Sequence, residues 1–569
     1  MSAAPSGSSA SNAVNVPHIV IIGGGATGLG AAVRLRRAQL AGAQLSFELL
    51  ERDTRLGGKV AGAVVDDPEH GRFVFDGGPD CISAHNPAGR AMSAFLGLDE
   101  HWLPSNEPAK RVWIYRDGRP HLLPSEFSMF VPTGWDWLQT SDILSEAGKA
   151  EMLREPDVPP KPLPAGRNDE TLESFVTRRF GRETLDYLAE PFIGGVHASD
   201  PAQMSLAATF PMYLDMEQKY GSIIKGTIAA RRAREAAAAG KPRDPRNTVF
   251  ATFDGGLHQL TDAMADYAGR EHLHTGCSVT AIRRDGERYV ICCNTVDHEK
   301  TSDEVLGPER ADHEKTSDEV FSESARHVAV NKGAAQEKTS DEVFSESAPL
   351  ASNTAYRNRM IVADAVIIAT ESFAASPLTA SIAPDISAAY AAIPNLTSAT
   401  ASFVFRAADL PRDRYDGFGV LVPEVEKRNL LAVTFSSTKW PGRTPPGYVM
   451  LRGFAGTPQN QQVMEHDDAT LTAIILDELR QVLALPGEIT PVLSRMWRWV
   501  GGMSQYTMGH LDRVEAIEAA VARTPGLACA GGCFRGVGVP NCIDGGTRAA
   551  VKVMGDLRIG DPLITDTED

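Results

Sequence analysis

An α/β chain, α+β overall, is predicted by three stretches of the sequence. In the first, the branched apolar run Ile19 to Ile22 feeds into Gly23, Gly25 and Gly28, then into a helical pattern carrying Leu29, Ala32, Val33 and Leu40. In the second, an apolar strand from Leu45 to Leu50 ends in Glu51, 23 residues past Gly28. In the third, Ala363 to Thr370 has the apolar character of a strand covered on both faces. Strand, glycine turn, helix, strand and acid, with a late strand returning to the same sheet, is the order of a Rossmann-like nucleotide-binding domain.

The glycine spacing suits a dinucleotide pyrophosphate. Gly23 permits the turn, Gly25 with Ala26 and Thr27 after it lets backbone N–H groups approach phosphate oxygens, and Gly28 packs helix on strand. The positive end of the helix dipole then faces the anion, and Glu51 stands where an acid accepts hydrogen bonds from an adenosine ribose. The glycines alone leave a purely structural turn as the alternative, and NAD and FAD both open.

Length and composition set outer limits. At 569 residues, and about 150 residues per domain, the chain predicts three or four units, some discontinuous. The net charge of −17 argues against nucleic acid, whose phosphates select clustered Lys and Arg; small molecules or proteins are the expected partners. Seven cysteines form no Cys-x-x-Cys pair, so no metal site or disulfide framework is predicted, and reduced thiols in the cytoplasm are expected. Residues 1–16 read as a disordered tail rather than a secretory signal, and no apolar run reaches 18 residues, the length of a membrane-spanning helix.

Behind Glu51 comes Arg52, then Arg55-Leu56-Gly57-Gly58-Lys59, a second glycine pair whose basic flanks suit the phosphate and ribityl portion of a large cofactor; a surface loop is the plain alternative. Phe73-Val74-Phe75 then alternates into Asp76-Gly77-Gly78-Pro79, a strand closed by a glycine turn that brings backbone near a ligand. This pairing of motifs resembles the superfamily of flavin-containing amine oxidases and protoporphyrinogen oxidases. The resemblance implies FAD, bound by Gly23, Gly25, Ala26, Thr27, Gly28, Glu51, Arg52, Gly57, Gly58, Lys59, Gly77, Gly78 and Pro79.

The aromatic runs Val112 to Tyr115 and Phe127 to Val131, with Trp135 and Trp137, suit a lipid interface or a hydrophobic cavity, with core packing as the alternative. Asp169 and Glu170 precede Leu172, Phe175, Val176 and Phe180 at helical spacing, which predicts acids at a helix N-terminus; a second helix carrying Leu185 and Leu188 is expected to stop at Pro191. Glu190 to Pro201, Met204 to Leu206, Phe210-Pro211 and Tyr220 to Gly226 resemble the oxygen-dependent bacterial porphyrinogen oxidases, acting on protoporphyrinogen or coproporphyrinogen.

Phe253 to Leu257 is another strand-to-glycine turn before a helix, and His274 to Ile282 reads as a strand in which, by the resemblance, backbone at Val279 meets the adenine end of FAD. Residues 297–348 carry Glu-Lys-Thr-Ser-Asp-Glu-Val three times, at 299–305, 314–320 and 337–343, and a net charge of −8. The unequal spacing excludes a solenoid, so this is predicted to be a disordered insertion in a hairpin between Tyr289–Cys293 and Ala363–Ala369. Strands at 398–406, 430–435 and 449–453 predict an antiparallel sheet, and 468–483 an amphipathic helix with Leu471, Ile474, Ile475 and Leu479 on one stripe.

Late in the chain, Trp499, Gln505-Tyr506 and Gly509-His510-Leu511 resemble the porphyrinogen oxidase path back into the flavin domain, with His510 read as a structural hydrogen-bonder. Leu527 to Gly532 and Arg535 to Ile543 form a strand, a glycine turn and a helix start, adding Gly532, Val537, Gly538 and Val539 to the implied FAD contacts. Gly532 and Asn541 depart from the family's Asn and Asp, and no Lys or Arg follows Asp76–Pro79 closely; His85, Asn86 and Arg90 occupy that neighbourhood.

The resemblance implies oxidation of a porphyrinogen to a porphyrin with molecular oxygen as acceptor and hydrogen peroxide as product, late in haem biosynthesis. It names no catalytic side chain. It leaves room for peripheral contact with the inner face of the cell membrane and for ferrochelatase as a partner. The expected division is FAD-binding parts at 17–95, 227–296, 349–375 and 499–569, substrate-domain parts at 96–120 and 376–498, and a helical, membrane-associating subdomain at 121–226. The rivals are an amine or polyene oxidase of the same superfamily and a flavoprotein that only binds porphyrin. Deleting Asp297 to Ala348 is expected to leave flavin content and turnover intact; a deletion variant purified without bound flavin would refute the insertion reading.

Overall fold

The computed structural model describes residues 16–84, 86–240, 246, 248–296 and 356–563. The tail through residue 15, His85 and the repeat segment 297–348 lie outside the described residues. The central elements are β1 (His18–Ile22), α1 (Ala26–Leu40), β2 (Ser46–Leu50), β3 (Leu273–His274), β4 (Ala365–Ile368), α2 (Ser372–Thr379), β5 (Leu527–Cys529) and α3 (Val539–Asp556). They form a parallel sheet in the order β3–β2–β1–β4–β5.

Alternate residues of β1 enter two different cores. Ile19 and Ile21 pack with Leu29, Val33, Ile543 and Val553, whereas Val20 and Ile22 pack with Ile282, Ile291, Ile386 and Ile517. A strand covered on both faces must be apolar throughout, which is why no alternation shows in its sequence. From β1 the chain moves to β2 on one side and reaches β4 on the other, so the carboxyl ends of β1 and β4 bound the crevice at the topological switch point.

The predicted strand over 363–370 is divided. Tyr356–Ala363 pairs with Arg288–Val296 in a three-stranded antiparallel sheet that includes Cys277–Asp285, and β4 starts afresh at Ala365. Asp364 makes the transfer: its N–H donates to His18 O at 2.8 Å and its carboxylate accepts His18 N–H at 2.8 Å. An apolar run cannot by itself show that its first residue belongs to another sheet.

A seven-stranded sheet runs in the order Leu493–Ser504, Asn395–Arg406, Tyr448–Ala455, Ala432–Phe435, Gly419–Leu421, Val112–Arg116, Arg119–Leu122, antiparallel except where Gly419–Leu421 meets Val112–Arg116. One face carries Phe403, Phe405, Val433 and Leu451 against Leu471, Ile475 and Leu479 of the helix Asp468–Val482. The other face presents Val404 and Met450 to Phe73 and Phe75, which joins this sheet to the segment ending at Asp76.

Half of the aromatics in these runs are core: Tyr115, Phe130 and Trp137 are buried, Trp113 and Phe127 are half-buried, and Trp135 is exposed. The acids before Leu172 do not serve the helix Leu172–Phe180, whose N-cap is Thr171. Asp169 accepts Ser205 Oγ at 2.6 Å and Ala207 N–H at 2.9 Å, and Glu170 pairs with Arg178 and Lys161, stronger partners than a helix dipole. Pro191 does not end its helix either. A π-turn over Leu185–Ala189, in which Glu190 N–H donates to Leu185 O, precedes the helix Glu190–His197, and the wider turn relieves the ring clash that stops an α-helix.

This helical layer is held by a buried ion network. Arg179 pairs with Glu155 and, at 3.3 Å, with Glu217, all three about 1% exposed or less. Glu155 also accepts Ser222 Oγ at 2.5 Å and Ile223 N–H at 2.9 Å, capping the helix Ile223–Ala238. Glu155→Ala leaves the buried Arg179 only the longer ion pair with Glu217 and takes the acceptor from Ser222 and Ile223, and urea unfolding of the variant is expected to show a loss of about 3 kcal/mol.

Candidate active site

Four segments wall the crevice. The first is the glycine loop: Gly23 has φ +106°, and a Cβ on Gly28 would fall 1.8 Å from Gly23 O, so helix and strand end meet only because no side chain intervenes. Ala26 and Thr27 open α1, whose first-turn N–H groups have no helical acceptors. The second wall is Gly57 to Lys59. Gly57 N–H donates to Gly24 O at 2.8 Å, and Gly58, at φ +54°, places its Cβ direction 2.9 Å from Gly25 Cα.

The third wall follows β4. Ala369 and Thr370 pack against Gly23, and Glu371 comes next. Lys59 Nζ reaches across to Glu371 at 3.3 Å and donates to Gly502 O at 2.7 Å. Burial opposes charge on Glu371, but Lys59 and then Arg52 overcome it and hold the carboxyl below its ordinary value. The fourth wall is Gly531 to Val539. Tyr506 Oη donates to Gly532 O at 2.7 Å and accepts Gly536 N–H at 2.9 Å, clamping the turn before α3. His510 stacks on Tyr506 and bonds Phe534 O at 2.8 Å, the structural role expected of it. Gly538 caps α3 and Val539 begins it; Cys542 in its first turn lies within hydrogen-bond reach of Thr27, so the N-termini of α1 and α3 adjoin.

Glu51 turns inward, accepting Gly24 N–H at 2.6 Å and Asp53 N–H at 2.8 Å, and burial pushes its carboxyl pKa up. Arg52 is exposed at the rim. Cys277 N–H donates to Glu51 O at 2.8 Å, which sets Val279 beside that end, at a register shift between Val279 and Ala281. Gly77 and Gly78 are tied to the seven-stranded sheet: Gly77 O accepts Thr400 Oγ1 at 2.6 Å and Trp499 Nε1 at 3.1 Å, and Gly78 O accepts Arg452. Behind Pro79, Asp80 pairs with Lys439 at 2.9 Å. The glycine loops, Glu51, Lys59, the Gly77–Pro79 turn and Gly532–Val539 therefore converge, with Val279 one strand beyond.

These walls fit a dinucleotide. A Cβ on Gly25 would meet nothing nearer than Gly58 Cα at 3.9 Å, leaving bare backbone between the loops, with helix N-termini for phosphate and Glu51 for hydroxyls. Glu371, the Tyr506 clamp and Arg452 were not singled out from the sequence as site residues; the signal for Glu371 was an acid directly after the apolar run 363–370. Of the residues near Pro79, Asn86 caps its own helix and bonds Asn541 at 3.2 Å, and Arg90 is held by Asp99 at 2.9 Å over Trp102. A cavity of about 520 Å³ lined by Arg55, His258, Asp262 and Arg270 adjoins the 54–62 loop and includes none of the predicted site residues.

The helix Glu190–His197 links the seven-stranded sheet to this crevice. His197 O accepts Gln505 Nε2 at 3.3 Å and its ring lies near Tyr506; burial lowers the His197 pKa to about 4. At the other end Glu190 accepts Glu424 N–H at 3.1 Å. Burial, with Glu424 and Asp186 nearby, pushes Glu190 up to about 8, and burial with Asp200 pushes Glu424 up to about 7. With its amide turned so that the nitrogen faces Glu424, Gln459 donates to both Glu424 oxygens, at 2.6 and 3.0 Å.

The profile of the flavin containing amine oxidoreductase family matches residues 26–313 and 342–554, and the gap falls within the repeat segment. The chain is similar to the coproporphyrinogen III oxidase of Bacillus subtilis (strain 168), 25% identical over 541 residues that cover 94% of this chain and 97% of that one. It is similar to protoporphyrinogen oxidase 2, chloroplastic/mitochondrial, of Arabidopsis thaliana, 25% identical with 96% and 95% covered. A solved structure from Exiguobacterium sp. 255-15 shares the fold at TM-score 0.70 and 24% identity, covering 95% of this chain and 99% of that one.

A carboxyl held at about 8 in the folded chain and near 4.5 in the unfolded one keeps a proton that the unfolded chain has lost, so Glu190 makes stability fall as pH rises between those values. Glu190→Gln is expected to flatten that slope, which denaturant midpoints of both proteins from pH 5 to 9 would read; an unchanged slope would exclude Glu190 as its source.

Proposed function

This chain belongs to the flavin-containing amine oxidoreductase family, and from that premise we propose that it holds FAD across the crevice and oxidises a porphyrinogen, protoporphyrinogen IX or coproporphyrinogen III, to the porphyrin. Molecular oxygen is the acceptor and hydrogen peroxide the product, three of each per macrocycle, in a late step of haem biosynthesis. The observation that carries this reading is the end-to-end similarity to curated porphyrinogen oxidases from a bacterium and a plant.

When bound, FAD supplies the two-electron acceptor that no side chain can provide. The chain's own groups bind and orient. Backbone N–H groups of Ala26 and Thr27 at the α1 N-terminus suit the pyrophosphate, and Glu51 suits the adenosine ribose. The α3 N-terminus at Gly538 and Val539 suits negative charge on the ring system. Trp499 and Arg452 fix the Gly77–Gly78 turn, and Trp497 packs on Gly77, screening that side from water. The seven-stranded sheet is assigned to the substrate and the helical layer to covering it.

A cytoplasmic location is supported by seven free cysteines. Among the described residues no helix is long and apolar enough to cross a membrane. Peripheral contact through the helical layer would use its exposed Trp135, Met212 and Tyr220, and ferrochelatase is the proposed recipient of product.

The test gives pure flavin-loaded protein each porphyrinogen with and without oxygen. Porphyrin fluorescence that grows only with oxygen, with matching peroxide, is the expected result. Amine turnover without porphyrin formation would favour the amine oxidase reading, and stoichiometric porphyrin binding without formation would favour a carrier.

A further inference from the structure

The ends of β2, β1 and β4 are level, because Leu50 pairs with Ile22 and Ile22 with Ile368. Across the crevice they present Glu51, then the glycine loop with the α1 N-terminus, then Glu371. Adjacent strands lie about 4.8 Å apart, so the two acids flank the anion-binding helix end from strands about 10 Å apart. This order matches the chemistry of FAD, in which a pyrophosphate separates two hydroxyl-bearing segments, the adenosine ribose and the ribityl chain.

Glu371 is available for that role. It occupies the N-cap position of α2, where an acidic side chain ordinarily accepts an N–H of its own helix, yet its side chain makes no capping bond. Its side chain is 37% exposed, and the side-chain partner it has is Lys59, on Oε1. A carboxylate has no donor to offer a phosphate but is a strong acceptor for hydroxyls. Lys59 keeps it ionised beside the phosphate site, offsetting its repulsion of the pyrophosphate.

We propose that Glu371 is the second hydroxyl-recognising carboxylate of the crevice, accepting hydrogen bonds from the ribityl chain of FAD as Glu51 does from the adenosine ribose. The inference rests on the FAD reading. It makes Glu371 a specificity residue: ADP, which carries the ribose and pyrophosphate but no ribityl chain, is blind to it.

The experiment measures FAD binding to flavin-free protein by quenching of flavin fluorescence, and ADP binding by competition. Glu371→Ala is expected to weaken FAD about tenfold, the loss of hydrogen bonds to a charged group, with ADP unchanged within about twofold. Glu371→Gln keeps the shape and one acceptor and covers the case in which the Ala variant does not fold; about a threefold loss for FAD alone is expected. FAD and ADP weakening together would make Glu371 a mere support for Lys59, and tighter FAD would make it a repulsive neighbour; either overturns the inference. Wild-type protein that binds no FAD would overturn the FAD reading itself, whereas wild-type binding with an unselective variant overturns this inference alone.

Discussion

The structure around the crevice depends on one close approach, that of α1 to the end of β1. With Gly28 against the carbonyl of Gly23, the helix starts directly over the strand end and its free N–H groups point into the switch point of the sheet. The other walls are built on that placement. The Gly57–Gly58 loop lies backbone to backbone on Gly24 and Gly25, β4 ends against Gly23, and α3 crosses α1 with Gly546 close under Thr27. A side chain at Gly23, Gly28, Gly58 or Gly546 would push the walls apart.

The second sheet is joined to this centre by polar chemistry rather than by apolar area alone. Asp76 pairs with Arg443 at 2.9 Å and Asp80 with Lys439, while Arg452 supports the Gly78 carbonyl and keeps Nε and Nη1 without a partner among the described residues. Three cations face two carboxylates under the Gly77–Gly78 turn. Breaking any of the pairs leaves a buried charge, so the angle between the sheets is held by groups that cannot separate cheaply.

Local signals read well where one residue's role is set by its chain neighbours. β1, α1 and β2 follow from a continuous apolar run, spaced glycines and a helical stripe, and Glu51 was identifiable because its spacing from Gly28 is dictated by one strand–helix–strand unit. The helix Asp468–Val482 shows its stripe for the same reason, burying Leu471, Ile475 and Leu479. Asp169 and Glu170 misled because a helix dipole is a weaker partner than Arg178 or a free N–H from a distant turn. Pro191 misled because a π-turn upstream changed what its ring meets.

The sequence by itself determined the nucleotide sheet, its glycine loops, the acid at the end of β2 and the family resemblance, since each is written within a few consecutive residues or one repeating period. Only the tertiary structure decided that Ala363 leaves one sheet as Ala365 enters another, that Tyr506 clamps Gly532 to Gly536, and that Glu371 follows a strand whose end is level with the strand leading to Glu51. Those relations join residues up to hundreds of positions apart. They arise from strand order and register, which depend on how all the buried faces pack together and leave no periodic mark on the chain.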